Sequence, residues 1–295
     1  MKISSLAGIH RVGAAAVLTG AFAVLAPAHA AVVINYASFT GACGGTLTCI
    51  GDTSVTGGGT LRVTPAAGSQ SGAGYSTTAI ALGVGATFRS TFQFQITDRG
   101  GIAPADGITF VLAQNATGLG GTGGGLGYAG VSNSVAVEFD TFNNGGLDTS
   151  SNHVAVDQSG VLTNNALANP YGVGTCTSTS GYILGCMSNG DVWTTTIDYD
   201  GTTQLLDVYV QDGGNAVQHI INSYSINIAT LLGTTTAFVG FTSGTGSGFE
   251  NHDILNWKLA NDRSLGTPTV PEPGSLALVA AGLLAATSVW RRRVG

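Results

Sequence analysis

The sequence predicts an all-β protein whose strands form a two-sheet antiparallel jelly-roll sandwich. Glycine accounts for 46 of the 295 residues, hydrophobic residues for 43% and charged residues for only 9%. Short apolar runs separated by Gly, Ser, Thr and Asn are typical of strands joined by turns. The chain lacks the 3.6-residue periodicity of a helix bundle and the three-residue glycine period of collagen. Its low charge and high apolar content also argue against a disordered chain.

The first 30 residues are predicted to be a secretory signal peptide. Lys2 and Arg11 provide a positive start, residues 12–25 form an apolar core, and Ala28-His29-Ala30 is a small-x-small cleavage site. We therefore expect export, with a mature chain that begins near Ala31.

Residues 31–269 are predicted to be one domain of short strands. Within residues 88–96, Phe92, Phe94 and Ile96 share one face of a period-two pattern. Around a dozen strands is the size of a large jelly roll. Residues 226–232 are expected to form one short helical turn. The predicted strands are 88–96, 107–113, 134–141, 153–157, 192–199, 205–210, 237–242 and 253–259.

The charge balance of this domain excludes one class of partner. It holds 15 acidic and five basic residues, which gives a formal net charge of −10. A phosphate backbone would be repelled, so no nucleic-acid partner is expected. A divalent cation or an uncharged partner fits the charge better.

The four cysteines are predicted to form structural disulfides, because export permits oxidation and no Cys-x-x-Cys spacing indicates zinc or redox chemistry. Four cysteines allow three connectivities. The simplest pairing is two local bridges, Cys43–Cys49 and Cys176–Cys186.

Residues 134–157 carry the most informative motif. Glu138 and Asp140 are two apart on a predicted strand, so their side chains project from the same face. Two carboxylates on one side of an apolar strand repel each other and are costly to bury. No Lys or Arg occurs from residue 100 to residue 257. A metal ion is therefore the simplest source of the missing positive charge.

Further candidate ligands follow this pair. Asn144 and Asp148 lie in the next loop, and His153 lies at the start of the next predicted strand. Oxygen ligands alone suit calcium, whereas the addition of one imidazole suits manganese or another transition metal.

This motif resembles the metal loop of legume-type (L-type) lectins, whose fold is the concanavalin-like jelly roll. Three other stretches resemble the family in the same order: 105–110 (ADGITF), the glycine-rich 123–127, and 240–257. The resemblance covers about residues 86–260, and four ordered pieces make it specific. It implies a carbohydrate-binding domain that holds calcium and a transition metal side by side.

The resemblance also implies residue roles. The transition-metal ligands would be Glu138, Asp140, Asp148 and His153. The calcium ligands would be Asp140, the carbonyl of Phe142, Asn144 and Asp148. The sugar site would consist of Asp106, Gly124, Asn144 and the ring of Phe142, with Gly125 as an alternative to Gly124. Asp and Asn match sugar hydroxyls, and an aromatic ring matches the apolar face of a sugar.

The C-terminal residues 270–295 resemble the PEP-CTERM sorting signal of Gram-negative bacteria. Pro271-Glu272-Pro273 precedes an uncharged segment, 275–290, and three arginines, 291–293. The resemblance implies exosortase recognition, removal of the tail, and delivery to the cell surface or an extracellular polysaccharide matrix. A permanent transmembrane anchor through 275–290 is the alternative.

Jelly rolls also include glycoside hydrolases, which need two carboxyl groups about 5–5.5 Å apart for retaining chemistry. Laminarinase-like enzymes carry E-x-D-x-x-E, but here Asn143 replaces the last acid, and an amide cannot transfer the proton. We therefore expect a carbohydrate-binding protein and not an enzyme. The alternatives are a structural matrix or surface protein with a fold-stabilising metal loop and, less favoured, a glycoside hydrolase.

Overall fold

The computed structural model describes residues 32–146, 148–177, 183–262 and 265–266. The predicted signal peptide, 1–30, and the predicted sorting segment, 270–295, lie outside these residues. Within the described part of the chain, no helix has the length and apolar character needed to cross a membrane.

The described residues contain sixteen strands and one short α-helix, α1 (Ile228–Leu232). The strands are β1 (Val32–Tyr36), β2 (Leu47–Gly51), β3 (Ser54–Val55), β4 (Leu61–Thr64), β5 (Ser71–Ser76), β6 (Ile80–Ala81), β7 (Thr87–Gly101), β8 (Gly107–Ala113), β9 (Ser134–Asp140), β10 (His153–Gln158), β11 (Val161–Ala168), β12 (Trp193–Asp200), β13 (Leu205–Asp212), β14 (Gln218–Ser225), β15 (Thr236–Gly244) and β16 (Gly248–Ala260).

Two antiparallel sheets of eight strands each form the sandwich, which confirms the predicted jelly-roll fold class. The first sheet has the order β14-β13-β12-β7-β16-β4-β3, with β1 paired to β16. The second has the order β11-β10-β9-β8-β15-β5-β2, with β6 paired to β15.

The core between the sheets is rich in aromatic rings. The predicted face of Phe92, Phe94 and Ile96 on β7 is fully buried. The ring of Phe92 meets that of Phe241 on β15 edge-on, with centroids 4.9 Å apart. Phe241 in turn meets Trp257 on β16 at 5.0 Å. Burial of such side chains contributes about 1.5–3 kcal/mol each.

Sheet register brings several strand ends together at one end of the sandwich. Gly107, the first residue of β8, pairs with Asp140, the last residue of β9, and with Gly244, the last residue of β15. On the first sheet, Gly248 of β16 pairs with Gly101 of β7 at the same end. The loops that leave these strands therefore converge there.

All eight predicted strands exist, and the predicted helical turn is α1, whose start is capped by the Asn227 side chain accepting from the amide of Thr230. Both predicted local disulfides, Cys43–Cys49 and Cys176–Cys186, are present. The prediction lacked β1–β6, β11 and β14.

Candidate functional site

The register of β9 against β10 places the predicted metal ligands on one face of the second sheet. His153 lies opposite Asp140, and Ala155 lies opposite Glu138. Directly paired residues of antiparallel strands point to the same side. Glu138, Asp140 and His153 therefore share the outer face, while the intervening Phe139 enters the core.

These three side chains form a compact buried cluster. Ligand atoms of Glu138, Asp140 and His153 all lie within 4.8 Å of one another. Nε2 of His153 is 3.1 Å from Oε1 of Glu138. The other ring nitrogen, Nδ1, lies 3.2 Å from the carbonyl oxygen of Ser150, and this contact orients the imidazole. A second partner of this kind is the usual way in which a metal-binding imidazole is oriented.

Burial and mutual repulsion disfavour the ionised form of the two carboxyl groups in the cluster. Burial raises the pKa of Glu138 to about 7. Burial, followed by repulsion from Glu138, raises the pKa of Asp140 well above its ordinary value. Burial also lowers the pKa of His153, so the imidazole favours its neutral, metal-binding form.

The donor set fits a divalent cation. Two atoms bound to one ion at about 2.1 Å are at most about 4.2 Å apart, so a 4.8 Å cluster needs only a small contraction. Two carboxylates and one imidazole suit a transition metal. A cation would also neutralise the buried charge that the surrounding sequence leaves uncompensated.

A further buried acid beside the cluster, Asp157, was missed by the sequence prediction. It is fully buried, and burial, followed by charge repulsion from Glu138, raises its pKa to about 9. Its Oδ1 accepts hydrogen bonds from the amides of Thr163 (2.7 Å) and Asn164 (2.9 Å). The alternation of His153, Ala155 and Asp157 on β10 was the available signal, because these residues share a face.

The loop after β9 folds around carboxylates. Oδ1 of Asp140 accepts from the amide of Phe142 at 2.7 Å, and Oδ2 of Asp148 accepts from the amide of Asn144 at 2.8 Å. Asp148 is not part of the compact cluster. Its Oδ1 instead accepts from Nδ2 of Asn164 at 2.8 Å. The predicted oxygen ligands thus lie in one loop beside the cluster.

The predicted sugar-binding aspartate lies beside this loop. Asp106 follows a cis peptide bond after Ala105, and its carbonyl accepts from the amide of Thr141 at 2.9 Å. Nδ2 of Asn144 is 3.5 Å from Oδ1 of Asp106, while the buried Oδ2 lies beside the backbone of Gly246 and accepts no hydrogen bond of regular geometry within the described residues. Burial raises the pKa of Asp106 to about 6. An acceptor without a regular hydrogen bond is available to a ligand hydroxyl.

The glycine-rich loop completes this arrangement. A Cβ atom placed on Gly124 would overlap the side-chain amide of Asn144. A Cβ atom on Gly125 would meet only the Cβ of Ala129, at 3.4 Å. The structure therefore brings Gly124, rather than Gly125, into contact with Asn144.

The raised pKa values predict how stability depends on pH when metal is removed. An acid whose pKa is raised on folding binds more protons in the folded state, so stability falls as pH rises from its unfolded to its folded pKa. For Glu138 and Asp157 this range runs from about pH 4 to about 7 and 9, respectively. In EDTA, the melting temperature should fall as pH rises from 5 to 9. With calcium and manganese present, differential scanning fluorimetry should show a much smaller fall in melting temperature over the same pH range. An equal fall with and without metal would contradict the proposal that these buried acids bind metal.

Comparisons with known proteins agree with this geometry. The model of the legume lectin domain matches residues 31–271, and that of the PEP-CTERM protein-sorting motif matches residues 269–293. A lectin alpha chain from Lablab purpureus is 28% identical over 227 residues, which cover 70% of this chain and 74% of that one.

Solved structures of plant lectins share the fold. The seed lectin of Lotus tetragonolobus superposes with a TM-score of 0.63 at 26% identity, covering 81% of this chain and 99% of that one. The Bauhinia forficata lectin in complex with GalNAc superposes with a TM-score of 0.61 at 22% identity, covering 77% and 96%. These three relatives are lectins, which are carbohydrate-binding proteins without enzymatic activity, in agreement with the prediction made from Asn143. The chain belongs to the legume lectin family and ends in a PEP-CTERM sorting motif.

Proposed function

We propose that residues 31–269 are an exported, metal-dependent lectin that binds carbohydrate at Asp106, Gly124 and Asn144. The main support for this proposal is that three segments distant in sequence, which contain Asp106, Gly124 and Asn144, are in contact with one another. Gly124 packs on the amide of Asn144, and this amide faces the buried carboxylate of Asp106. A carboxylate and an amide offer the paired acceptors and donor that neighbouring sugar hydroxyls require.

We assign two ions to the neighbouring loop. Glu138, Asp140, Asp148 and His153 would hold a manganese-like transition metal, and Asp140, the carbonyl of Phe142, Asn144 and Asp148 would hold calcium. The donor types support this division, because calcium prefers oxygen ligands and imidazole prefers a transition metal. Calcium on Asn144 would orient its amide for the sugar. The half-buried Phe142 would offer its ring to the sugar's apolar face.

The ends of the chain support a route to the cell surface. We assign 1–30 to a cleaved signal peptide and 270–295 to a sorting segment that an exosortase processes after transient anchoring through 275–290. The destination would be the surface or the extracellular polysaccharide of a Gram-negative bacterium. Exopolysaccharide is then the carbohydrate that the protein meets first.

The choice between Gly124 and Gly125 supplies a matched pair of variants. Gly124→Ala should weaken sugar binding at least tenfold, because its methyl group would displace the Asn144 amide. Gly125→Ala should have little effect, because the added methyl makes an ordinary contact with Ala129. Isothermal titration with a sugar that binds the wild type measures both, and equal effects would refute the Gly124 assignment.

A glycan panel tests the function itself. With calcium and manganese present, residues 31–269 should bind at least one glycan, and GalNAc is a sensible first probe because the Bauhinia lectin binds it. If no glycan binds but metal is retained, the protein is better described as a structural matrix or surface protein whose metal loop stabilises the fold.

A further inference from the structure

One strand connects the candidate sugar site to the point where the chain leaves the domain. Strand β16 begins at Gly248, directly after the loop 245–247 that lies beside Asp106. It ends at Ala260, which pairs with Arg89 near the start of β7. At about 3.3 Å per residue, its 13 residues span about 40 Å. The site and the chain exit therefore lie at opposite ends of the sandwich.

Arg89 holds the chain at the exit end. Its side chain is buried, and its Nη2 forms an ion pair with Asp198 of β12. Its Nη1 donates a hydrogen bond to the carbonyl oxygen of Gly266. Removal of one partner of a buried ion pair is strongly destabilising, because it leaves an uncompensated buried charge. The backbone at Gly266 is thus held beside Arg89 of β7.

This fixed point decides how far the chain can reach. Only eight residues, 267–274, separate Gly266 from the uncharged segment 275–290. Fully extended, eight residues span about 26–29 Å, which is less than the length of β16. If the chain were free from Ala260 onward, 14 residues would be available and would span about 46–50 Å. With the Arg89 contact in place, the chain after Gly266 is too short to let the domain turn over above the membrane. Without this contact, the chain after Ala260 would be long enough.

We infer that, while 275–290 holds the chain in a membrane, the sugar site faces away from that membrane, and that Arg89 maintains this direction. The inference rests on the proposed anchoring but not on sugar binding. Such a chain would engage an extended polysaccharide on the outer side of the layer of anchored domains, and not the headgroups of the membrane that holds it.

Energy transfer to labelled lipids tests the orientation in the chain that still carries the sorting segment, 31–295. The chain is reconstituted in phosphatidylethanolamine–phosphatidylglycerol vesicles that carry an acceptor dye on the headgroups. A donor dye is attached through Ser247→Cys at the site end or, as the matched control, through Thr202→Cys at the exit end. Both positions are exposed. Transfer should be several-fold more efficient from position 202, and equal or reversed efficiencies would overturn the inference.

Two further variants test the role of the tether. Insertion of six Gly and Ser residues after Gly266 leaves the Arg89 contact intact but extends the reach beyond 40 Å, so the difference between the two dye positions should narrow. Arg89→Gln should also narrow the difference in transfer efficiency between the two dye positions, because it removes the contact that holds Gly266. An unchanged difference after the insertion would show that tether length does not set the orientation. Failure of the wild-type chain to co-sediment with vesicles would overturn the inference together with the anchoring, and a glycan panel on 31–269 would still test the lectin proposal separately.

Discussion

Replacing Asp140 with alanine should remove the bound metal and lower the melting temperature of the metal-loaded domain by about 5–10 °C. A ligand present at 100 times its Kd stabilises the folded state by about 2.7 kcal/mol, and about 1 kcal/mol shifts the melting temperature of a domain of this size by about 2–4 °C. Asp140 sits in the buried cluster with Glu138 and His153, so its loss should abolish the transition-metal site. Metal analysis and calorimetry measure the two effects.

The same variant should behave differently in EDTA. Without metal, Asp140→Ala removes one of the buried carboxylates that repel each other, so the difference in melting temperature from wild type should close or reverse. Asp52→Ala is the control, because Asp52 is exposed and its carboxylate accepts a hydrogen bond from the amide of Ser71, away from the cluster. A deficit of the same size with and without metal would indicate that Asp140 stabilises the fold by itself.

Asp106→Ala should abolish detectable sugar binding while leaving the fold and the metal content unchanged. Shallow sites of this kind bind sugars with a Kd of about 0.1–1 mM, which corresponds to about −4 to −5.5 kcal/mol. Hydrogen bonds to a charged group contribute about 1.5–3 kcal/mol each, so their loss brings binding below detection. Asp106 is outside the metal cluster, and its carboxylate faces Asn144.

Asn144→Ala provides the contrast to Asp106→Ala. Because Asn144 is assigned to both calcium and sugar, its replacement should weaken both, whereas Asp106→Ala should weaken sugar binding alone. Titration calorimetry with calcium and with a bound sugar separates these outcomes. Loss of calcium binding in Asp106→Ala would contradict the division of roles.

Much of the fold could be predicted because the central strands alternate strictly between the core and the opposite face. On β7, Phe92, Phe94 and Ile96 enter the core, and on β9 Phe139 does so between Glu138 and Asp140. Strand β5 was missed because its sequence, SGAGYS, has little apolar periodicity. Its Gly72 is required because a Cβ there would overlap the backbone of Val63, a constraint that only the packed structure reveals.

Edge strands were missed for a different reason. Strand β11 is half-exposed, and Asn164 and Ala166 within it adopt positive φ angles of 52° and 51°, which interrupt the alternation.

In the site, the spacing of Glu138 and Asp140 predicted a shared face, and the family resemblance added Asp106. Spacing within one strand could not reveal that Gly124 packs on Asn144, because the two residues lie in separate loops. It could not reveal that Asp157 lies near Glu138 either, because the two acids lie on neighbouring strands.

If metal organises the sugar site, removing and restoring the metal should abolish and restore carbohydrate binding. Residues 31–269 are applied to a glycan panel in calcium and manganese, then after EDTA, and then after both ions are restored. We expect glycan binding in the first state, its loss in the second, and its recovery in the third. Binding that persists in EDTA, while metal analysis confirms that the ions are gone, would contradict it.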